Sequence, residues 1–434
     1  MPINWRRLFG PPPPPAAPIK PGLYHFTRTE TDPPVRFHLR VDTDGGGLLL
    51  ANASEAAVLS PVGVFMAHGI LSGREDIAIK ADVRAHFGGA TDPEIADDLW
   101  QMHHRIDDLS SPDDNYPITN VGIRGESTVG RRLIAPHRAF VTADRAEVLE
   151  PVLRALWEAA IPHVTFLPTA QTPGEELVRL VECAEDLGMI TGVRGLASWF
   201  GDEELTAASL AGLDYLTVVL ASVDAEEHNR LVGAEDYDSV LRALKLCRAL
   251  ELCPVLQVPL TDFSAQELEE MVVWGTQHKV SNYSFFAVAC LDGEEQEDAA
   301  GALAARSLPQ VAASVTEGSE SVNARFLWEP PVRFDLRRTL AEQIVSGPRA
   351  GSDASVRVEP DGSVYPPRGP RVKAGNLLQQ EWAQIWAAPC FAPYREGEAA
   401  PVPCEVCPGL EICEAACPRN VDSWSDDRKD GEAS

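Results

Sequence analysis

The feature that most constrains the fold is an alternation of strand-like and helix-like segments between about residues 131 and 319. Because the helix between two strands returns the chain to the same edge of the sheet, such alternation produces parallel strands with helices outside. It predicts an α/β fold of six βα units, curved into a partial barrel, with functional groups at the carboxyl ends of the strands. Pro151 is expected in the first turn of its helix, since later turns need the amide hydrogen that proline lacks. The strand-like runs are RLIAPHRAFV, HVTFLP, MITGV, LDYLTVVLA, CPVLQVPL and VSNYSFFAVA.

A smaller region of different pattern precedes this alternation. Residues 1–22 contain PPPPPAAPIKP, which cannot form a core and is expected to be a disordered leader. Residues 23–110 combine a predicted hairpin, VRFHLRV and GLLLANAS around the turn DTDGGG, with three helical segments. They are predicted to form a small α+β domain, followed by a linker over residues 111–130.

The charge and hydropathy of the chain argue against two classes of partner. The 434 residues carry 37 Lys and Arg against 65 Asp and Glu, a formal net charge of −28. So acidic a chain repels phosphate backbones, which argues against nucleic acid. No stretch approaches the ~20 apolar residues of a membrane span, and prolines follow the basic start MPINWRRLFG where a signal peptide has its apolar core. The chain is therefore expected to be cytoplasmic.

Four cysteines form a tight cluster near the end of the chain. Cys404, Cys407, Cys413 and Cys417 stand in the stretch CEVCPGLEICEAAC, at C-x2-C-x5-C-x3-C spacing. In a reducing compartment such a cluster indicates metal or redox chemistry rather than structural disulfides. The five scattered cysteines are expected to be small buried side chains.

The cysteine spacing and its surroundings resemble a known family. The C-x2-C-x5-C-x3-C block, with DGSVYP and GNLLQQEWAQIW upstream, resembles the SPASM or twitch-like extension of radical S-adenosylmethionine (SAM) peptide maturases. The resemblance implies that residues 131–319 form a radical SAM-type partial barrel and residues 320–420 a SPASM-like domain, with an acidic tail at 421–434. Residues 23–110 are similar to PqqD-like peptide-recognition modules, which implies a winged-helix-like fold that binds a precursor peptide.

The chain departs from that family where the cofactor is bound. Active members carry C-x3-C-x2-C after the first barrel strand, and these thiolates hold the [4Fe–4S] cluster that binds SAM. The matching loop, APHRAFVTADRAEVLEP, has no cysteine. It offers His137 and Asp144 as ligands, which cannot replace three thiolates. The Gly-Gly-Glu-Pro turn of the family is replaced by Leu167–Ala170, so SAM binding is not expected.

The auxiliary clusters of the family are also incomplete in this sequence. The cysteine of the family's Gly-x4-Cys element is replaced by Pro367, counting from Gly362, and no cysteine follows Cys417. In the family pattern Cys404, Cys407 and Cys413 share one cluster with that missing final cysteine, so a complete set of four thiolates forms here only if Cys417 changes partner. The resemblance therefore implies one [4Fe–4S] cluster, with Cys417 or a non-cysteine residue as the fourth ligand, and a structural Zn²⁺ or an empty relic as alternatives.

Three hypotheses on function follow. The first is a catalytically degenerate homologue, a pseudoenzyme that binds a precursor peptide through residues 23–110 and assists an active radical SAM protein in ribosomal peptide modification. The second is a peptide-modifying enzyme with an atypical SAM or iron–sulfur site, for which His137, Asp224 and His228 are candidate groups at strand ends. The third is a metal-stabilised electron-transfer or interaction protein.

Overall fold

The computed structural model describes residues 19–29, 34–52, 55–89, 91–110, 133–291, 301–322, 324–351, 355–392, 395, 417–421 and 424–427. The chain divides into two compact units, one of Met1–Ala51 with Ala56–Pro112 and one of Asn52–Glu55 with Asp113–Ser434. Among the helices of the described residues, none is long and apolar enough to cross a membrane.

The described part of the N-terminal unit is a four-stranded sheet, in the order β1-β2-β3-β4, with three helices. The predicted hairpin is present: β2 and β3 are antiparallel, and the Asp42 amide donates to the Gly46 carbonyl across the turn at 2.8 Å. Phe37 and Leu39 of β2 pack in one apolar cluster with Ile106 of the third helix. The elements are β1 Gly22–Arg28, β2 Val35–Val41, β3 Gly47–Ala51, β4 Glu55–Leu59, α1 Pro61–Leu71, α2 Asp76–His86 and α3 Asp92–Leu109.

The second unit contains the six predicted strands in one sheet, each parallel to the next. The helices between them are also present, with one more, α7, that the sequence analysis did not predict. The elements are β5 Arg138–Thr142, α4 Ala146–Glu158, β6 His163–Leu167, α5 Gly174–Leu187, β7 Ile190–Gly195, α6 Asp202–Leu210, β8 Tyr215–Val219, α7 Ala225–Val232, α8 Tyr237–Ala249, β9 Cys253–Leu260, α9 Leu268–Gln277 and β10 Asn282–Cys290.

Strands from the last third of the chain extend this sheet at both ends. A strand at Arg325–Trp328 pairs in parallel with β10, and a strand at Ser355–Val358 pairs in parallel with β5. The last elements in chain order are β11 Leu303–Ala304, α10 Leu308–Ser321, β12 Arg325–Trp328, β13 Val332–Arg333, α11 Leu340–Ser346, β14 Ser355–Val358, β15 Ser363–Tyr365, β16 Gly375–Asn376 and α12 Trp382–Trp386. The sheet is thus large and mixed, since β14 and β15 are antiparallel.

The sheet curves around its inner face. Arg138 of β5 and Ser284 of β10 line the same cavity. In a flat sheet these two strands, five spacings apart, would lie about 24 Å from each other. One small cavity can touch both strands only if the sheet bends toward closure, as the predicted partial barrel requires.

Side chains alternate between the two faces of the sheet, as a strand requires. Leu216 and Val218 of β8 face outward and join the large apolar cluster that the helices form. Tyr215 and Thr217 of the same strand point inward and line the cavity. The outer face is therefore the hydrophobic core of the unit, and the inner face carries its polar residues.

The prediction for Pro151 is wrong. Helix α4 begins at Ala146, so Pro151 lies five residues inside it rather than in the first turn. Proline removes one hydrogen bond, but Leu149 and Leu153 are fully buried on the same helix, and the Ala146 amide donates to Glu176 Oε2 at 2.8 Å. Tertiary packing of this apolar face outweighs the lost hydrogen bond.

Candidate functional site

The two candidate ligands of the first loop lie at opposite ends of β5. His137 precedes the strand and is buried, whereas Asp144 follows it and is exposed. Seven residues of extended chain separate their backbones by about 20 Å. The structure therefore does not bring His137 and Asp144 into one site.

The two other candidate groups, Asp224 and His228, form hydrogen bonds that stabilise the backbone around them. Asp224 caps α7, accepting a hydrogen bond from the Glu227 amide at 2.9 Å. His228 is fully buried; the Ala221 amide donates to its Nδ1 at 3.2 Å, so Nε2 carries the hydrogen that faces Asp236 at 3.4 Å. With both ring nitrogens engaged, His228 positions the turn after β8.

Asp236 is the carboxylate that faces His228 in this arrangement. Burial would raise the pKa of the Asp236 carboxyl, but hydrogen bonds from His228 and Ser198 outweigh that effect and lower it. The Ser198 amide donates at 2.6 Å. Asp236 is thus held as an anion that fixes the segments after β7 and β8.

The inner face of the sheet carries the chemistry-bearing side chains that the sequence analysis did not single out. At the amino-terminal end, the Tyr215 hydroxyl shares hydrogen bonds with His163 Nε2 at 2.6 Å and with Thr165 Oγ1 at 2.7 Å. Burial raises the pKa of Tyr215, and burial with the nearby charge of Arg138 lowers the pKa of His163 well below its usual value. Both groups are therefore neutral at physiological pH.

Two arginines also line the inner face, Arg138 at the amino-terminal end of β5 and Arg194 near the carboxyl end of β7. The guanidinium carbons of Arg138 and Arg194 are 4.4 Å and 5.3 Å from the centre of the Phe140 ring. Glu329 lies 3.9 Å from Arg194 and accepts a hydrogen bond from Gln257 Nε2 at 3.2 Å. Both buried guanidinium groups thus lie over the Phe140 ring, which stabilises a cation, and Arg194 also lies beside the carboxylate of Glu329.

Residues 329–351, here called the closing segment, cover the carboxyl end of the inner face. Arg194 Nη2 donates to the carbonyls of Ser346 and Pro348 in this segment, both at 3.0 Å. Phe334 and Ile344 of the segment pack in one apolar cluster with Phe286 of β10 and other residues at the carboxyl ends of the strands. The edge at which functional groups were predicted is therefore filled by the chain's own residues.

The residues present do not fit the cofactor that this type of fold implies. The loop between β5 and α4, Ala143–Arg145, contains no thiol to hold an iron–sulfur cluster. The inner cavity has a volume of about 20 Å³, which suits one water-sized body. A molecule of the size of SAM does not fit there while the closing segment is in place.

The four-cysteine cluster lies largely outside the described residues. Cys404, Cys407 and Cys413 are not among them, and Cys417 is half-buried. The metal site therefore stays a prediction.

Of the five scattered cysteines, Cys247, Cys253 and Cys290 are buried as predicted, whereas Cys183 and Cys390 are only half-buried. Burial raises the pKa of Cys247 and Cys253 to about 12.

Part of the predicted acidic tail is built into the fold. Trp424 and Ser425 are buried, and the Ser425 amide donates to the Pro331 carbonyl at 2.7 Å. Ser425 Oγ accepts from the amide of Arg349, a residue only 1% exposed, at 2.9 Å. Residues 424–427 are therefore an anchored segment of the second unit.

In the N-terminal unit, β1 is an edge strand. It pairs with β2 on one side, and the strand order places β4 at the other edge of the sheet. An edge strand presents unpaired amides and carbonyls along its free side. Such an edge can accept an extended peptide as a further strand.

Comparison with solved structures identifies the kind of fold. The chain is similar to Streptococcus suis SuiB bound to S-adenosylmethionine, with a TM-score of 0.55 and 13% identity over 90% of this chain and 97% of SuiB. It is also similar to SuiB bound to its precursor peptide SuiA, with a TM-score of 0.53 and 13% identity over 87% and 93%.

A third structure, anSMEcpe with bound AdoMet and a peptide, is 15% identical to this chain and covers 67% of it and 91% of its own length. Its TM-score of 0.47 is too low to bear on the fold. No protein-family model and no curated protein matches the chain. At these identities the likeness to SuiB shows the fold alone. The fold is similar to radical SAM folds.

One sequence signal could have revealed the polar inner face. Arg138 and Arg194 interrupt the largely apolar strands RAFVT and ITGVRG. A charged residue within a strand that is buried on both faces must find partners inside the fold. The signal marks the residues but does not identify their partners, which come from distant parts of the chain.

Proposed function

We propose that this chain is a catalytically degenerate radical SAM/SPASM homologue that binds a precursor peptide and acts as a partner or scaffold for an active maturase. The observation that carries the proposal is the filled inner face of the sheet. Arg194, Phe334 and Ile344 occupy space at the carboxyl edge, where folds of this kind hold their reacting groups.

The loop after β5 supports the same proposal independently. A radical SAM cluster needs three thiolates at that point, and the chain has Ala143, Asp144 and Arg145. Asp144 is engaged locally, since its Oδ1 accepts from the Arg145 amide at 2.7 Å. The loss of the thiolates and the filling of the interior are separate changes, and both act against SAM cleavage.

The decisive experiment is anaerobic reconstitution of the full chain with iron and sulfide, followed by an assay for 5′-deoxyadenosine with SAM and dithionite. We expect no 5′-deoxyadenosine above a protein-free control. Deoxyadenosine that depends on this chain alone would overturn the proposal and favour the atypical enzyme. An active radical SAM protein assayed in parallel serves as the positive control.

We propose further that Cys404, Cys407, Cys413 and Cys417 hold one [4Fe–4S] cluster as a structural or electronic support. The same reconstituted sample provides the test through iron, sulfide and zinc counts. About four irons and four sulfides per chain support the cluster. Zinc without sulfide would instead make the cysteines a structural clasp.

Residues 23–110, as a PqqD-like and winged-helix-like domain, are proposed to bind the precursor peptide. In the described part of the chain β1 pairs only with β2, which supports addition of the peptide as a fifth strand, with main-chain hydrogen bonds giving affinity and side-chain pockets giving specificity. In this division of labour, residues 131–319 form the docking body and residues 320–420 the SPASM-like extension.

Hydrogen–deuterium exchange of the full chain tests the peptide site. The probe is each short peptide encoded next to the gene of this chain, added as a synthetic peptide. We expect slower exchange over Gly22–Arg28 and no change over β14, which is paired on both sides. Protection elsewhere with none in β1 would move the site away from this strand.

A further inference from the structure

Two histidines face each other on the sheet of the N-terminal unit. His25 of β1 and His38 of β2 are direct partners in the antiparallel register. Phe37 belongs to the apolar cluster shared with the helices, and Phe26 packs against it, so the two imidazoles lie on the opposite face of the sheet. Residues directly opposite one another on one face have Cβ atoms about 4.5–5.5 Å apart, which lets the two rings meet.

The rings meet through the same atom of each side chain. Nδ1 of His25 lies 2.9 Å from Nδ1 of His38, and the ring planes are inclined by 71°. Two nitrogens at this distance share one hydrogen, which one Nδ1 donates and the other accepts. When that hydrogen moves to Nε2 of its own ring, both Nδ1 atoms become ligand atoms for a single metal ion.

The separation of the two nitrogens selects the geometry of such an ion. Imidazole nitrogens bind a metal at about 2.0–2.1 Å, so two of them at a right angle lie about 2.9 Å apart. At a tetrahedral angle they would lie about 3.3–3.4 Å apart. The observed 2.9 Å therefore suits the right-angled coordination that Cu²⁺ and Ni²⁺ adopt with nitrogen ligands.

The surroundings of the pair favour a ligand site. His38 is only 4% exposed, which restricts its rotamers, whereas His25 is exposed and gives an ion access from solvent. Burial of part of the His25 ring lowers its pKa, so this imidazole is neutral at physiological pH, as metal ligation requires. Arg40, on the same face, forms an ion pair with Asp42 at 3.0 Å, which balances its charge.

We propose that Nδ1 of His25 and Nδ1 of His38 bind one divalent transition-metal ion with right-angled coordination, Cu²⁺ or Ni²⁺. Water can fill the remaining positions of the ion from the exposed side of His25. Each imidazole keeps its one hydrogen, on Nε2, so the ion replaces the hydrogen bond between the rings without net release of a proton. The site depends on the geometry of this pair and not on the proposed role in peptide maturation.

The test follows the ten histidines of the full chain, labelled with ¹³C at Cε1, by NMR while Ni²⁺ is added. The paramagnetic ion broadens the resonances of the rings that it binds, and single His→Gln variants assign those resonances. We expect His25 and His38 to broaden first and together. Parallel broadening of all exposed histidines would mean adventitious surface ions only and would overturn the proposal, as would unchanged resonances of His25 and His38.

Variants separate the pair from the other histidines. His25→Gln should raise the Ni²⁺ concentration at half-broadening of His38 at least about tenfold, since loss of even an outer-shell partner weakens a metal site about 10–100-fold. His38→Gln is the reciprocal variant, and His25→Gln, at the exposed position, serves if the buried change prevents folding. A His25→Gln chain whose His38 responds like wild type would show that the rings share no ion and would overturn the proposal.

His103→Gln is the matched control. His103 Nε2 also lies beside one ligand-type group, the carboxylate of Asp76 at 3.0 Å, but it belongs to the helices rather than the sheet. This change should leave the broadening of His25 and His38 as in wild type. A loss of their response in His103→Gln would place the ion on the helices and overturn the proposal.

Discussion

At the scale of single residues, the inner face depends on close fits that only particular side chains allow. Gly192 of β7 lies directly beside Tyr215 of β8, and a Cβ at Gly192 would overlap the tyrosine ring. The same ring is held by His163 and Thr165 and cannot move aside without losing those hydrogen bonds. The glycine is therefore a packing requirement for the buried hydroxyl network.

We predict that Gly192→Ala destabilises the second unit by about 1–3 kcal/mol, the usual cost of overpacking a core. Chemical denaturation followed by circular dichroism measures the change. Gly318→Ala is the matched control, because Gly318 lies in helix α10 and a Cβ there meets only Phe326 at an ordinary 3.6 Å. An unchanged free energy of unfolding for Gly192→Ala would show that Tyr215 is free to shift.

A second prediction at this scale concerns pH. His163 is fully buried, and its lowered pKa means that the folded protein does not take up the proton that the unfolded chain binds below about pH 6.5. Stability should therefore fall as pH drops from about 6.5 toward 5, by about 1.4 kcal/mol per pH unit for this group.

His163→Gln should flatten the dependence, and His104→Gln, at an exposed position of α3, should not. Parallel pH profiles for wild type and His163→Gln would contradict the assignment.

At the scale of elements, segments that are far apart in the sequence are joined by hydrogen bonds and ion pairs. Residues 424–427 bond to the backbone of the closing segment near Pro331 and Arg333. Arg349 donates to Ser425 Oγ and to the Gly369 carbonyl, and it lies 3.7 Å from Asp427. The anchored tail thus gives a buried arginine its partners.

Deleting residues 424–434 should therefore destabilise the second unit by about 3–5 kcal/mol, since it removes the buried Trp424 as well as the partners of Arg349. Deleting only residues 428–434 keeps every described contact of residues 424–427 and serves as the matched control. Thermal unfolding of both truncated chains provides the comparison. Equal Tm values for the two would mean that the tail contributes nothing to the fold.

Some of these elements were predictable from the sequence and others were not. The six strands were predictable because each is a short apolar run between helical segments, and the hairpin of β2 and β3 because its turn is rich in Asp and Gly. The flanking strands β12 and β14 were not, since four-residue strands such as RFLW and SVRV carry too little pattern to identify. Their pairing with β10 and β5 depends on contacts across the whole chain.

At the scale of the whole molecule, two compact units contain separate hydrophobic cores. Leu99 is buried in a cluster confined to the N-terminal unit, and Leu216 in the large cluster of the second unit. Independent cores give independent unfolding transitions when their stabilities differ.

Calorimetry of the full chain should therefore show two transitions. Leu99→Ala is expected to lower one of them and Leu216→Ala the other, each by the equivalent of about 2–5 kcal/mol. A single transition that both variants shift equally would mean that the two units unfold together. Leu210→Ala, at a residue 84% exposed, provides the neutral control.

The sequence by itself determined the parallel βα architecture and the absence of thiols from the loop after β5. Both follow from local patterns, namely the periodicity of the segments and the residue types of one loop. Only the tertiary structure decided what fills the interior. His137 and Asp144 are close in sequence yet lie at opposite ends of β5, while Arg194 meets Ser346 and Pro348 from more than 150 residues away. Such partners are selected by the closure of the sheet, a long-range arrangement that short segments of sequence do not encode.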